Sequence, residues 1–582
     1  MCGIAGCVSL ESSGEGLERD VLSLLQLQQH RGPDELSLSR VADGVVLGCT
    51  RLAIVDPDGA KQPISSSCAP IQGVCNGEIY NAPDLRKKAT EQGHRLQGLG
   101  DCEPVLHLYE DDPDGFAERL DGMFAFALWD GIRKRLVLGR DRLGVKPLYY
   151  RICDGKFYFA SEAPALARIG RAAGISSEGA AQFISLRFVK TGSSMFEGIH
   201  ELAPGSVLIY ENGTCSVRRY WYPRPAKRNR DVLQALENAV GSCASTANSP
   251  GVLLSGGLDS TSVLGLLASS TATPRSFSVG YDLDEGQSLR RQDERVYAAQ
   301  AAAALGSVHQ EAVLNDAEIA AALRATMTHL SEPIFSQTAV STWAIARLAS
   351  QYGKDVLTGD GADELFLGYD YFTKIAPVAR RAERTWRTDY LDAIGWLAEP
   401  WRSSLVDPAQ FDHTRQALFE TVPQDIPPLD QIRLIELTQR LPNYQLTRVD
   451  RLTMAHGLEA RVPFLTNSVV DASLSFTTEE LLADRRRKQP LLDAVRGRVP
   501  AEIWERPKMK FSAPASTWLR LPALRELTRE LLLGSGYHAL LGVRKSGLAS
   551  LLAEMDTDTD KVSMPVWGML TLFLWADVHS AR

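Results

Sequence analysis

The chain has 582 residues, 44% apolar and 23% charged, a globular balance that excludes a disordered or collagen-like polymer. Its 63 lysines and arginines stand against 71 aspartates and glutamates, and the net charge of −8 argues against a dedicated nucleic-acid binder. No apolar run reaches the ~18 residues of a membrane span, and the start MCGIAGCVSL lacks the basic segment of a secretory signal.

A cytoplasmic protein with no membrane partner is therefore expected. The nine cysteines form no CxxC pair, so no zinc site is expected, and without a secretory signal no disulfide framework either.

The first ~210 residues read as β-rich by the turn-bounded runs of β-branched and aromatic residues. VVLGCTRLAIVD (45–56), GMFAFALWD (122–130), RLVLGRD (135–141) and KFYFASE (156–162) read as strands. LERDVLSLLQLQQHR (17–31) and DCEPVLHLYEDD (101–112) carry helical spacing. RRYWYPRPAKRNRD (218–231) has no period and reads as a linker. Beyond it the texture alternates. GVLL (251–254), RSFSVGYD (275–282), SVHQEAVL (307–314) and KDVL (354–357) read as strands, with helical patterns at 260–270 and 295–305 between them. Such alternation predicts a parallel sheet covered by helices, followed by a helical tail from ~370.

Cys2 directly follows the initiator Met. Removal of Met1 would leave a thiol, pKa ~8.5, and an α-amine, pKa ~7.7–8, on one residue, so nucleophile and general base come together. Six motifs follow in order: HRGPDE (30–35), TRLAIVD (50–56), CNGEIYN (75–81), GDCE (100–103), DGMFAFALWD (121–130) and RDRLGVKPLYY (140–150). This series resembles the glutaminase domain of class II glutamine amidotransferases over residues 1–200. The resemblance implies that Asn76 and Gly77 form an oxyanion hole. It implies further that Arg51 clamps the glutamine carboxylate, with Asp101 and Glu78 as candidates for its ammonium.

SGGLDS (255–260) lies between a strand and a helix and lacks the GK[ST] of a kinase-type phosphate loop. It resembles the pyrophosphate loop of ATP pyrophosphatases, with Ser255, Gly256, Gly257, Asp259 and Ser260 as ATP contacts. TGDGADELFLGY (358–369) supplies acids at a second strand end, where open α/β sheets bind ligands. Asp259 and Asp363 are the expected Mg²⁺ ligands, since Mg²⁺ takes one or two carboxylates plus phosphate oxygens.

The two halves, with VDRLTMAHGLEARVPFL (449–465), resemble the glutamine-hydrolysing asparagine synthetase family over nearly the whole chain. The resemblance implies an N-terminal αββα glutaminase sandwich (2–215), a linker (216–231) and a doubly wound ATP-binding synthetase domain with a helical tail (232–582). It places adenosine against Leu253, Val279, Thr358 and Gly359, and it gives Asp360 and Lys508 catalytic roles. A homodimer is implied by the resemblance alone. Arg31, Asp34, Asp141 and Lys146 read equally as site residues or as structural ion pairs, while Arg448, Asp450 and Arg451 read more readily as a structural charge network near the site.

Four positions depart from the family pattern: Asp360 for glutamate, Thr466 for aspartate, Leu492 for a basic residue and Lys510 for glycine. All lie in the synthetase half. The expected reaction is ATP-dependent conversion of aspartate to asparagine with glutamine as donor. The alternative is the same chemistry on another carboxylate. A non-catalytic sensor is disfavoured because Cys2, Asp259 and Asp363 are all present.

Overall fold

A computed structural model describes residues 2–10, 16–225, 230–245, 250–282, 295–381, 385–483, 487–505 and 515–580. Twelve strands lie among the described residues before position 220: β1 (Cys2–Ser9), β2 (Glu35–Ala42), β3 (Val45–Arg51), β4 (Ile64–Ser65), β5 (Ile71–Ile79), β6 (Gly122–Asp130), β7 (Arg135–Arg140), β8 (Tyr149–Cys153), β9 (Lys156–Ala160), β10 (Ile199–Glu201), β11 (Ser206–Glu211) and β12 (Thr214–Arg219). They make two antiparallel six-stranded sheets, ordered β10-β8-β9-β1-β3-β2 and β12-β11-β7-β6-β5-β4.

The two-residue period of these strands sorts their side chains into layers. Cys2, Ile4, Leu47 and Cys49 of the first sheet meet Val74, Ala125, Ala127 and Leu138 of the second in a core between the sheets. Cys7 and Val46 instead pack with Val21, Leu24 and Leu25 of helix Leu17–Leu27. Phe126 and Val137 pack with Leu85, Leu106 and Tyr109 of helices Ala82–Glu91 and Glu103–Asp111. Each fully buried large apolar side chain contributes ~1.5–3 kcal/mol, and these layers build the expected αββα sandwich.

The second half carries a parallel sheet of β13 (Gly251–Leu253), β14 (Arg275–Tyr281), β15 (Val308–Leu314), β16 (Asp355–Leu357) and β17 (Glu459–Arg461), ordered β15-β14-β13-β16-β17. Helices Leu258–Ala268, Arg295–Ala304 and Thr338–Ala349 lie between the strands in sequence. The chain runs from β13 to β14 on one side and returns to β16 on the other, so a topological switch point lies between β13 and β16. SGGLDS follows β13 and TGDGADE follows β16, which places both loops at the crevice.

From Ala362 onward the described chain is helical except for β17. Helix Thr559–Ser580 closes it, with Trp567 and Trp575 buried and their indole N–H groups donating to Phe335 O (2.7 Å) and Leu330 O (2.9 Å). No helix among the described residues is long and apolar enough to cross a membrane.

Two elements differ from the sequence reading. Residues 216–219 of the expected linker belong to β12, paired with β11. All six residues of β12 are exposed at the sheet edge, so no buried face marks the strand in the sequence. β17 was read into the helical tail. It is only Glu-Ala-Arg, and its two charges are buried against partners far away in sequence.

Candidate active sites

β1 is an inner strand of its sheet, and Cys2 opens it opposite Arg51 of β3. A cavity of about 340 Å³ opens there, lined by Cys2, Arg51, Gln62, Gly77, Glu78, Gln97 and Asp101 among others. Asn76 Oδ1 accepts the Cys2 backbone N–H at 3.1 Å. Gln62 Nε2 lies 3.6 Å from Cys2 Sγ and is itself fixed on Cys75, donating to its carbonyl at 2.9 Å. The Cys49 thiol beside it, the Leu52 backbone and the Arg51 cation hold the Cys2 thiol below its ordinary range, against the opposing effect of burial.

Asn76 Nδ2 is buried with no hydrogen-bond partner. A buried orphan donor costs ~1–3 kcal/mol, which an oxygen brought within hydrogen-bond distance of it would relieve.

The other cavity residues sit differently from the expected clamp. Arg51 donates to Pro57 O at 2.7 Å and to Asp56 O at 2.8 Å, so its fork ties down the loop beside the cavity. Glu78 spends both oxygens on Arg461, at 2.8 and 2.6 Å. Asp101 accepts the Ile79 N–H at 2.8 Å, and burial together with the nearby Glu78 charge pushes its carboxyl up to about 6.

The second centre is a cavity of about 1370 Å³ at the switch point. Leu253, Ser255, Gly257, Asp259, Ser260, Val279, Thr358, Gly359, Asp360 and Asp363 all line it. Gly256 turns the loop at φ +70°, and a Cβ there would lie 2.5 Å from Ala298 N. Gly257 then starts helix Leu258–Ala268, whose free N–H groups favour an anion. Gly359 is packed so that a Cβ would lie 2.7 Å from Ser260 N, and this close approach brings the two loops together.

The Asp259 and Asp363 carboxylates converge on a single ammonium. Lys488 Nζ stands 2.7 Å from both Asp259 oxygens and 2.6 Å from Asp363 Oδ1. Lys488 adopts φ +57°, a left-handed conformation that costs a non-glycine residue ~1–2 kcal/mol. Its convergence with two acids more than 120 residues earlier has no local signal.

Arg448 also lines this cavity, donating to Asp360 Oδ1 at 2.8 Å and to the Thr338 and Thr342 hydroxyls at 3.2 Å. Glu364 is buried beneath, its carboxyl pushed up to about 7 by burial and by Asp363. Leu492 lines the wall and Thr466 is buried, its hydroxyl donating to Pro463 O at 3.2 Å. Lys508 and Lys510 lie outside the described residues.

A buried charge network joins the Cys2 centre to the second half of the chain. Arg31 donates to the Cys2 carbonyl at 3.3 Å, and its fork grips Glu162 at 3.1 Å and Asp450 at 2.9 Å. Lys146 bridges Asp450 and Glu459, and Arg451 closes on Asp450 at 2.8 Å. Arg461 ties Glu78 to Asp355. Asp450→Asn leaves three cations around an uncharged amide. Breaking a buried pair this way is expected to lower stability by ~3–5 kcal/mol, measured as a lower denaturation midpoint.

A thiol at the head of an αββα sandwich, docked by buried ion pairs onto a parallel sheet with a glycine-rich loop at its switch point, defines a two-centre amidotransferase. Residues 1–221 match the glutamine amidotransferase domain, and residues 231–577 match asparagine synthase. The chain belongs to the asparagine synthase family of ATP-dependent ligases.

Among its relatives, glutamine-hydrolysing asparagine synthetase 1 of Bacillus subtilis (strain 168) is 26% identical, over 100% of this chain and 97% of its own. Synthetase 3 of the same organism is 27% identical, over 89% of each chain. Asparagine synthetase B of Escherichia coli (strain K12) is 28% identical, over 88% of this chain and 82% of its own.

Proposed function

We propose that the protein hydrolyses glutamine at Cys2 and uses the released ammonia to amidate an adenylated carboxylate, aspartate being the first choice. The observation that carries this is the orphan Asn76 Nδ2, on the side chain that holds the Cys2 N–H, next to the acidified Cys2 thiol of the first cavity, together with a separate cavity at the switch point. In this reading the Cys2 thiolate attacks the δ-carbonyl and Asn76 Nδ2 and the Gly77 backbone stabilise the oxyanion. Ammonia leaves with the proton supplied by the Cys2 α-amine once Met1 is removed, and water then releases glutamate.

Asp101 receives the glutamine ammonium in its ionised form. Arg51 serves by fixing the 55–57 loop as well as by its charge, and Glu78 anchors Arg461. In the second cavity the acceptor carboxylate attacks the α-phosphate of ATP and displaces pyrophosphate. Ammonia then attacks the acyl carbon, and AMP leaves. The SGGLDS loop and the N-terminus of helix Leu258–Ala268 orient the phosphates.

Two carboxylates that already converge on one cation suit Mg²⁺, so Asp259 and Asp363 would hold it, with neutralisation of pyrophosphate charge as its contribution. Lys488 holds the acid pair in register, Lys508 neutralises charge during adenylation, and Asp360 is aimed by Arg448.

A second acceptor is favoured by one observation: Leu492, which stands where the family pattern drawn from the resemblance has a basic residue, lines the cavity wall. The test is pyrophosphate release with ATP, Mg²⁺ and ammonium, with and without aspartate, and with product mass recorded. Aspartate-dependent pyrophosphate and asparagine are expected. Silence with aspartate while glutamine is still cleaved would transfer the reading to another carboxylic acid.

A further inference from the structure

Three donors of different chemistry meet outside both centres. Cys68 lies in the turn between β4 and β5, His94 follows helix Ala82–Glu91, and Glu110 is on helix Glu103–Asp111. One ligand atom from each lies within 4.8 Å of the others. His94 Nδ1 is 3.1 Å from Glu110 Oε2, and His94 Nε2 is 2.9 Å from Asp111 Oδ1. The Glu110 side chain is only 8% exposed, and its other oxygen, Oε1, is buried with no hydrogen-bond partner.

We propose that Cys68, His94 and Glu110 form a binding site for a borderline-soft divalent metal, Zn²⁺ by preference. Thiolate, imidazole and carboxylate are the donors that Zn²⁺ takes, and in a tetrahedral site with bonds of ~2.0–2.3 Å neighbouring donors stand ~3.3–3.7 Å apart. The His94–Glu110 separation is already close to that spacing. Cys68 is exposed on a turn and closes the remaining distance, and its exposure gives the ion an entry path.

Asp111 Oδ1, 2.9 Å from Nε2, holds the ring with Nδ1 toward the Glu110 carboxylate; such a carboxylate behind a histidine is the usual outer partner of a metal ligand, and Nδ1 would give up its proton on binding the ion. His107 Nδ1, 3.2 Å from Glu110 Oε2, orients the carboxylate in the same way.

The site joins two segments that wall the Cys2 cavity. Ser67 Oγ donates to Arg95 O at 2.6 Å and Gln97 Nε2 to Ser65 O at 3.2 Å, and Ser65 and Gln97 line that cavity. A bound ion therefore staples the two walls together. The metal site stands whether or not the cavity takes glutamine.

The experiment is titration of the chelator-stripped full-length protein with Co²⁺ alone, then displacement by Zn²⁺. A thiolate-to-cobalt absorption band saturating at one equivalent and bleached by Zn²⁺ is expected. Cys68→Ser, an exposed change, should abolish the band, while Cys215→Ser at the other exposed cysteine should leave it intact. Asp111→Asn should weaken Zn²⁺ binding by ~10–100-fold. Absence of a saturable band, or a band that survives Cys68→Ser, would overturn the site and leave His94 as a protonated bridge between two acids.

Discussion

Cys2→Ala is expected to lower glutamine hydrolysis by ~10⁴–10⁶-fold, the scale on which loss of a catalytic nucleophile acts, while ammonium-dependent pyrophosphate release persists. The asymmetry follows from which atoms of Cys2 do what. The thiol faces Gln62 and Cys49 in the first cavity, whereas the link toward the second centre leaves from the backbone. The Cys2 carbonyl is held by Arg31, which reaches Asp450, and the Cys2 N–H is held by Asn76. Alanine removes the sulfur and keeps both backbone bonds, so the charge network is undisturbed.

Glutamate release and pyrophosphate release, measured on the same sample, decide the matter. Loss of both activities with an unchanged unfolding midpoint would show that the thiol itself serves the second centre, contrary to the two-site reading.

The parts of this arrangement that the sequence displays are the locally encoded ones. GMFAFALWD is a short apolar, aromatic-rich run bounded by turn residues, and it forms β6 over Gly122–Asp130 as read. The Gly-rich turn after β13 announces the phosphate-type loop because a positive φ at Gly256 and a helix start at Leu258 are local requirements. What the sequence conceals are convergences. Glu78 reads as a substrate contact from its motif, yet 383 positions separate it from Arg461, which takes both its oxygens. Arg51 reads as a free fork, yet its partners are carbonyls of a loop whose path no pattern predicts.

β17 fails as a sequence prediction for the same reason. Its charges are tolerable in a buried strand only because Lys146 and Glu78 arrive from the other half of the chain. Cys68, His94 and Glu110 have no metal-ligand spacing at all, and only the packing of one turn against two helices brings them together.

Asp259→Asn and Asp363→Asn are each expected to cut pyrophosphate release by ~10²–10³-fold, the usual effect of removing one charge-stabilising group at a phosphoryl site, while glutamine hydrolysis continues. Both carboxylates are part-exposed to the large cavity, at 22% and 20%, and both contact Lys488 Nζ. Cys2, by contrast, is reached through Arg31 and Asp450. Two readings of the triad differ in a measurable way. If the acids serve only to fix Lys488, each amide loosens the lysine and no added cation restores the activity. If they hold Mg²⁺, each amide raises the Mg²⁺ concentration needed for half-maximal pyrophosphate release, and excess Mg²⁺ recovers part of the rate.

Lys488→Met separates the cases further. It removes the ammonium the two carboxylates share, and in the metal-holding reading increases dependence on Mg²⁺. A Mg²⁺ titration unchanged in all three variants would remove Asp259 and Asp363 from the metal assignment and leave them as a structural clasp around Lys488.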